Sequence, residues 1–195
     1  MFRKTLLWAW FMFAFVIAGL AVTTMLRQHL TYEAPYPDIK ATSDMAMIEK
    51  GKNIALNAKG CARCHSDVAN IDSMQQIGKE PALSGAKKLV TSFGTFFTPN
   101  ITPDAKTGIG SMTDAQLARV LRYGVKRNNE AVLPFMQGLN LNDEELTAVI
   151  SYLRAIKPVE NKVPEHQFTL IGRLAKAYMA KPAPIENSVA VAKNF

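Results

Sequence analysis

The sequence predicts an all-α fold headed by one helix long enough to cross a membrane. Three observations carry this: residues 5–26 hold no charged side chain, later segments repeat apolar residues at three- and four-residue steps behind capping signals, and no strand pair is comparably clear. At 195 residues the chain is near the size of one domain with an attachment.

The uncharged run from Thr5 to Leu26, 22 residues, would extend about 33 Å as a helix, enough for the hydrocarbon core of a bilayer and longer than a usual cleaved signal core. Trp8 and Trp10 suit one interface. Arg3 and Lys4 before the run direct the N-terminus to the cytoplasm, although Arg27 just after it weakens the asymmetry. The competing reading is a secretory signal, with small residues around Ala18 to Ala21 as a cleavage site. Residues 1–30 are thus expected to be a cytoplasmic N-terminus and transmembrane anchor. Residues 31–42, with Pro35 and Pro37, read as an extended linker that holds the rest of the chain clear of the membrane.

Beyond the linker, Ser43 or Asp44 caps a predicted helix through Met45, Ile48, Gly51, Ile54 and Ala55, and Gly60 ends it. From Asn70 to Ser111 the chain is rich in Gly, Pro, Ser and Thr without sustained period, long for a loop unless it covers a ligand. Thr113 with Gln116 gives a capping-box signature before Leu117, Val120 and Leu121, with Gly124 as stop. Asn142 with Glu145 repeats the signature ahead of Leu146, Val149, Ile150 and Leu153, and Pro158 comes just after the end. In the tail, Phe168, Leu170, Ile171, Leu174, Tyr178 and Met179 suggest a short amphipathic helix that wraps the domain or docks on a partner subunit. The last eleven residues read as flexible.

The only two cysteines lie in Cys61-Ala62-Arg63-Cys64-His65. Two thiols three positions apart on a helical turn can each form a thioether to one haem vinyl group, while the adjacent imidazole of His65 meets the iron. A thioredoxin-like redox pair would need a strand before it, and here a helical, polar stretch from Asp44 to Lys59 precedes it. A structural zinc site needs four ligands, and His29 and His166 do not form a second pair at ligand spacing.

A second axial ligand is the next requirement, since methionine opposite histidine raises the potential, whereas an open position favours gas binding or catalysis. Of nine methionines, Met1, Met12 and Met25 belong to the anchor, and Met45 and Met47 precede the motif too closely. Met74, Met112, Met136 and Met179 remain. Met136 sits in Leu133-Pro134-Phe135-Met136, an irregular segment between predicted helices where a rigid proline can present the sulfur.

The formal charge of +7 includes Arg3, Lys4 and Arg27, so the chain from Thr31 onward carries 20 basic against 16 acidic residues, or +4. Two haem propionates would lower that to about +2. No basic run interleaved with aromatics is present, so no nucleic-acid partner is expected. Lys87-Lys88 and Arg119, Arg122, Lys126, Arg127 form either a solvated face or a rim that steers an acidic redox partner.

Further segments narrow the reading: Gly51-Lys52, Phe93-Gly94-Thr95, Pro99-Asn100-Ile101-Thr102-Pro103-Asp104, Thr107-Gly108-Ile109-Gly110 and Leu133-Pro134-Phe135-Met136. On these the chain, from about Met47 to Val159, resembles class I c-type cytochromes, particularly the haem modules in cytochrome subunits of alcohol and gluconate dehydrogenases. A single-haem, N-terminally anchored form is also similar to the monohaem cytochrome c subunit of alternative complex III.

The resemblance implies a cytochrome c domain over residues 43–159 around one covalent haem c, with a C-terminal extension over residues 160–195. It implies thioethers at Cys61 and Cys64, His65 as proximal and Met136 as distal iron ligand, and first and last domain helices that cross near Gly51, where Tyr152 approaches. Gln137 replaces the proline that commonly follows the ligand. Met112 stands where this subfamily often has an aromatic residue, so Met112 is the second choice as ligand. Dehydrogenase cytochromes often carry three such modules, whereas this chain has one motif and no repeat.

Haem attachment of this kind is extracytoplasmic, which agrees with the orientation of the anchor. The expectation is therefore a single-pass protein of the bacterial inner membrane whose haem domain transfers single electrons in the periplasm. Its expected partners are other subunits of a membrane respiratory complex and redox donor and acceptor proteins, and the chain itself performs no bond-making catalysis. Two alternatives have their own signatures. A haem peroxidase usually pairs two c-type haems, and a gas sensor or ligand-binding c-type protein keeps an open sixth position.

Overall fold

The computed structural model describes residues 2–67, 74, 78–136 and 139–183. Gln137 and the last eleven residues lie outside the described residues, as does part of the stretch from Asn70 to Ser111. The chain begins with helix α1, Phe2–Arg27, and Arg3–Arg27 is long and apolar enough to cross a membrane. Its side chains from Arg3 to Thr23 are exposed all round, so nothing in the rest of the described chain covers this part of the helix.

Helix α2, Met45–Asn53, starts at Asp44, whose carboxylate accepts from Ala46 N at 3.0 Å. A π-helical turn, Ile54–Ala58, carries it to Gly60, which is left-handed at φ 61°. The one-turn helix α3, Cys61–His65, comes directly after. Helix α4, Asp114–Tyr123, has the expected Thr113–Gln116 capping box and ends on left-handed Gly124. Helix α5, Asp143–Ala155, opens with the Asn142–Glu145 box.

Helices α2 and α5 cross face to face at Gly51. A Cβ there would sit 1.9 Å from the Ala148 carbonyl oxygen and 3.0 Å from Tyr152 Cβ. The expected crossing is therefore present, and only a bare α-carbon permits it. Leu146, Val149, Ile150, Tyr152 and Leu153 of α5 join Ala55, Leu56, Ala62, Leu83, Ile109, Leu117 and Leu141 in one buried cluster.

Three features differ from expectation. The unperiodic stretch supplies two strands of a small antiparallel sheet: β1, Lys88–Thr91, pairs with β2, Gly94–Phe97, and β2 pairs with β3, Gln167–Phe168, from the tail. The strands are too short for a period of two to show in the sequence. The linker is extended but strapped to the domain rather than standing clear of it. Tyr32 N donates to Asn129 O at 2.8 Å, Ala41 N to Asp114 Oδ2 at 2.8 Å and Thr42 N to Ser151 Oγ at 2.9 Å.

The third difference is Arg119, which sequence reading put on a solvated face or rim and which is only 3% exposed. Its guanidinium donates to Ala34 O, Tyr32 O, Lys126 O and Asn129 Oδ1 and lies 4.7 Å from the Tyr36 ring centroid. A planar fork of donors suits a cluster of backbone carbonyls better than it suits a docking rim. Arg122 is likewise paired with Asp143, and Lys126 with Glu130.

The amphipathic tail helix is α6, Leu170–Met179, capped by Thr169, whose hydroxyl accepts from Gly172 N at 3.1 Å. It packs on the end of α1, where Arg27 Nε donates to Ala177 O at 3.2 Å.

Candidate functional site

The candidate site is built on α3. Gly60, free to turn left-handed, breaks the preceding helical run so that residues 61–65 start a fresh turn. This turn brings Cys61, Cys64 and His65 together. Both thiols are free, Cys61 half-buried and Cys64 exposed, and burial pushes the Cys61 thiol up. Ala62 is packed in the core, which fixes the turn from behind.

His65 is 4% exposed, and its Nδ1 lies 2.9 Å from the Pro99 carbonyl oxygen. A carbonyl only accepts, so Nδ1 carries the proton and donates, and the neutral ring keeps its lone pair on Nε2. Burial lowers the imidazole below its ordinary range and favours that neutral form. A hydrogen bond from the far nitrogen is the usual device for orienting a metal-binding histidine.

Pro99 is held by the segment it opens. Asn100, 4% exposed, donates through Nδ2 to Thr107 Oγ1 at 3.0 Å and Val159 O at 2.8 Å, and its Oδ1 accepts from Thr102 N and Oγ1. Asp104 Oδ1 accepts from Lys106 N, Thr107 N and Thr107 Oγ1. Ile109 N returns to Thr102 O at 2.9 Å, and Gly110 N to Asp104 O at 3.0 Å. The Asn-Ile-Thr-Pro-Asp and Gly-Ile-Gly segments are thus one closed loop whose product is a fixed Pro99 carbonyl. On its other side Gly85 N donates to His65 O at 2.8 Å, and a Cβ on Gly85 would come within 2.5 Å of Pro99 C and O.

The two candidate sulfurs have different settings. Met136 ends a 3-10 turn, Pro134–Met136, and is half-buried beside Phe135, whose exposed ring lies 5.6 Å from that of Phe96. Met112 packs against the same buried cluster as Cys61 and Ala62, and its carbonyl accepts from Arg154 Nη2. Among the described residues, no hydrogen bond or ring contact joins either methionine to the His65 turn. Sequence reading missed Pro99 and Gly85 as partners of His65. The only signal was that Pro99 heads the Asn100–Asp104 segment, since a backbone carbonyl has no side-chain signature.

Residues 48–157 match the family model for cytochrome c. The chain belongs to the cytochrome c family. Membership implies covalently bound haem c. The donor set fits it: two free thiols and a neutral, tautomer-fixed imidazole on one helical turn are the groups that such attachment needs.

Relatives of this cytochrome include a nicotinate dehydrogenase subunit of Pseudomonas putida, 33% identical over 125 residues that cover 63% of this chain and 10% of that protein. The cytochrome c subunit of an alcohol dehydrogenase (quinone) of Gluconobacter oxydans is 27% identical over 134 residues, 66% of this chain and 26% of that one. The gluconate 2-dehydrogenase cytochrome c subunit of Pantoea cypripedii is 30% identical over 118 residues, 58% and 24% of the two chains. The aligned parts are thus between a tenth and about a quarter of these relatives.

Proposed function

We propose that this cytochrome is a membrane-tethered, monohaem carrier of single electrons on the extracytoplasmic side. In this reading Cys61 and Cys64 hold the haem covalently, His65 is the proximal iron ligand and Met136 the distal one. The observation that carries it is the His65–Pro99 hydrogen bond of 2.9 Å on the turn that also presents both thiols. Haem c bound there supplies a reversible one-electron couple whose potential follows its axial ligands.

The chain's own residues orient and shield. Pro99 holds the ring so that Nε2 keeps the lone pair, and the closed loop from Asn100 to Gly110 keeps Pro99 in place. The buried cluster that includes Ala62 and Leu83 excludes water behind the attachment turn.

The reading extends to location and partners. Arg3 and Lys4 ahead of α1 support an N-terminus in the cytoplasm and one crossing of the bacterial inner membrane. Relatives that are named as cytochrome subunits of dehydrogenases support a place beside other subunits of a membrane complex of the dehydrogenase type, with the alternative complex III type as the second form of the proposal.

The test is the visible spectrum of purified protein with a haem-to-protein ratio. One haem per chain and a methionine-to-iron charge-transfer band in the oxidised form are expected, with the band lost in Met136→Ala. Because Met112 packs against the same buried cluster as Cys61, a band that survives in Met136→Ala and is lost in Met112→Ala would move the distal ligand there. A high-spin, carbon-monoxide-binding wild type would replace the carrier by a sensor.

A further inference from the structure

Among the described residues, helix α6 is the amphipathic element that the electron-transfer reading leaves without a task. Its ten residues cover about 15 Å. One side is taken: a Cβ on Gly172 would sit 1.8 Å from Phe93 O, Thr169 N donates to Phe93 O at 3.0 Å, and Ala177 is buried. The other side is bare and apolar, with Leu170 76% and Ile171 59% exposed. At 100° per residue, Leu170, Ile171, Leu174 and Tyr178 share one arc.

The end of α6 is fastened to the end of α1. Arg27 Nε donates to Ala177 O and its guanidinium lies 5.0 Å from the Tyr178 ring centroid. The Tyr178 hydroxyl is 3.1 Å from the Thr23 hydroxyl, and Thr24 is buried, whereas the rest of α1 from Arg3 to Leu26 is exposed. Thr23 lies four residues before Arg27, about 6 Å back along the helix. Tyr178 therefore reaches down α1, from the level where the apolar span ends toward the membrane.

Tyr32 Oη also donates to Ala180 O at 3.1 Å, so the start of the linker closes on the same point. From His166 to Ile185 the chain has no acidic residue and three basic ones, Arg173, Lys176 and Lys181. A helix with an apolar face, a basic complement and an aromatic at the end of a span has the make-up of an interfacial helix.

We propose that α6 is a second membrane contact. Its bare face rests in the headgroup–acyl boundary of the bilayer that α1 crosses, with exposed Arg173 at the flank of that face toward anionic headgroups. The inference depends on α1 being a membrane anchor. With α1 alone the domain would swivel on one helix. With α6 seated as well, two contacts fix its height and tilt on the surface.

The test is tryptophan emission of the full-length haem-loaded chain in nanodiscs that contain anionic lipid, with brominated lipid as quencher. Native Trp8 and Trp10 report insertion of α1. Ile171→Trp in a Trp8→Phe/Trp10→Phe background reports α6, at an exposed position that tolerates the ring. The expected result is at least about twofold loss of Ile171→Trp emission with bromolipid, and less loss when Arg173 is changed to Glu. Quenching of Trp8 and Trp10 without quenching of Ile171→Trp overturns this inference alone, and then the face is left for a protein partner. Absence of quenching at both places overturns the anchor reading together with it.

Discussion

Gly85 presses against Pro99 so closely that a methyl group on its α-carbon would stand 2.5 Å from the Pro99 carbonyl oxygen, the same oxygen that accepts from His65 Nδ1. Gly85 is also left-handed at φ 72°. The orientation of the imidazole thus depends on a residue 20 positions away along the chain.

Gly85→Ala should therefore push the Pro99 carbonyl away from His65 and strain its own backbone, at about 1–3 kcal/mol in chemical denaturation. With His65 as the proposed proximal ligand, loss of the hydrogen bond removes electron density from the imidazole, so the reduction potential should rise. An unchanged potential in a destabilised variant would separate packing from ligand tuning.

Gly51→Ala acts at the crossing of α2 and α5. Its Cβ would overlap the Ala148 carbonyl, 1.9 Å away and part of rigid helix backbone that cannot rotate aside. The helices must separate, at about 3 kcal/mol or more. Ala148→Gly should give little relief, because the clash is with backbone rather than the Ala148 methyl, and a full rescue in the double variant would contradict this packing.

The helices were legible because their starts are local. Asp44, Thr113 with Gln116, and Asn142 with Glu145 each bond to backbone within three residues of themselves. The sheet was not, since Gly94 pairs with Phe168 across a long stretch of chain and β3 is two residues long. The attachment turn was legible as a motif. Its support was not: the His65 partner is a main-chain carbonyl, and the burial of Arg119 depends on carbonyls of the linker that no spacing rule brings to it.

Arg119→Ala should release that linker. It would leave the carbonyls of Tyr32, Ala34 and Lys126 without the guanidinium, costing about 2–4 kcal/mol. Amide exchange of residues 31–38 should rise while α5 stays protected. Arg119→Lys should rescue little, because one ammonium cannot serve carbonyls spread around a planar fork.

Asp104 gives the loop beneath His65 a defined response to acid. Hydrogen bonds from the Thr107 hydroxyl and amide, and then from Lys106 N, hold its carboxyl below the ordinary range. A group with a depressed folded pKa stabilises the fold above its unfolded pKa, about 3.9, and loses that contribution as pH falls through the lower folded value. Stability should thus decline below about pH 4, with Pro99 and the His65 hydrogen bond loosening in step. Asp104→Asn should be less stable at neutral pH and flatter across the acid range. Denaturation midpoints at a series of pH values check both, and an acid profile in Asp104→Asn as steep as that of the wild type would assign the loss to other carboxylates.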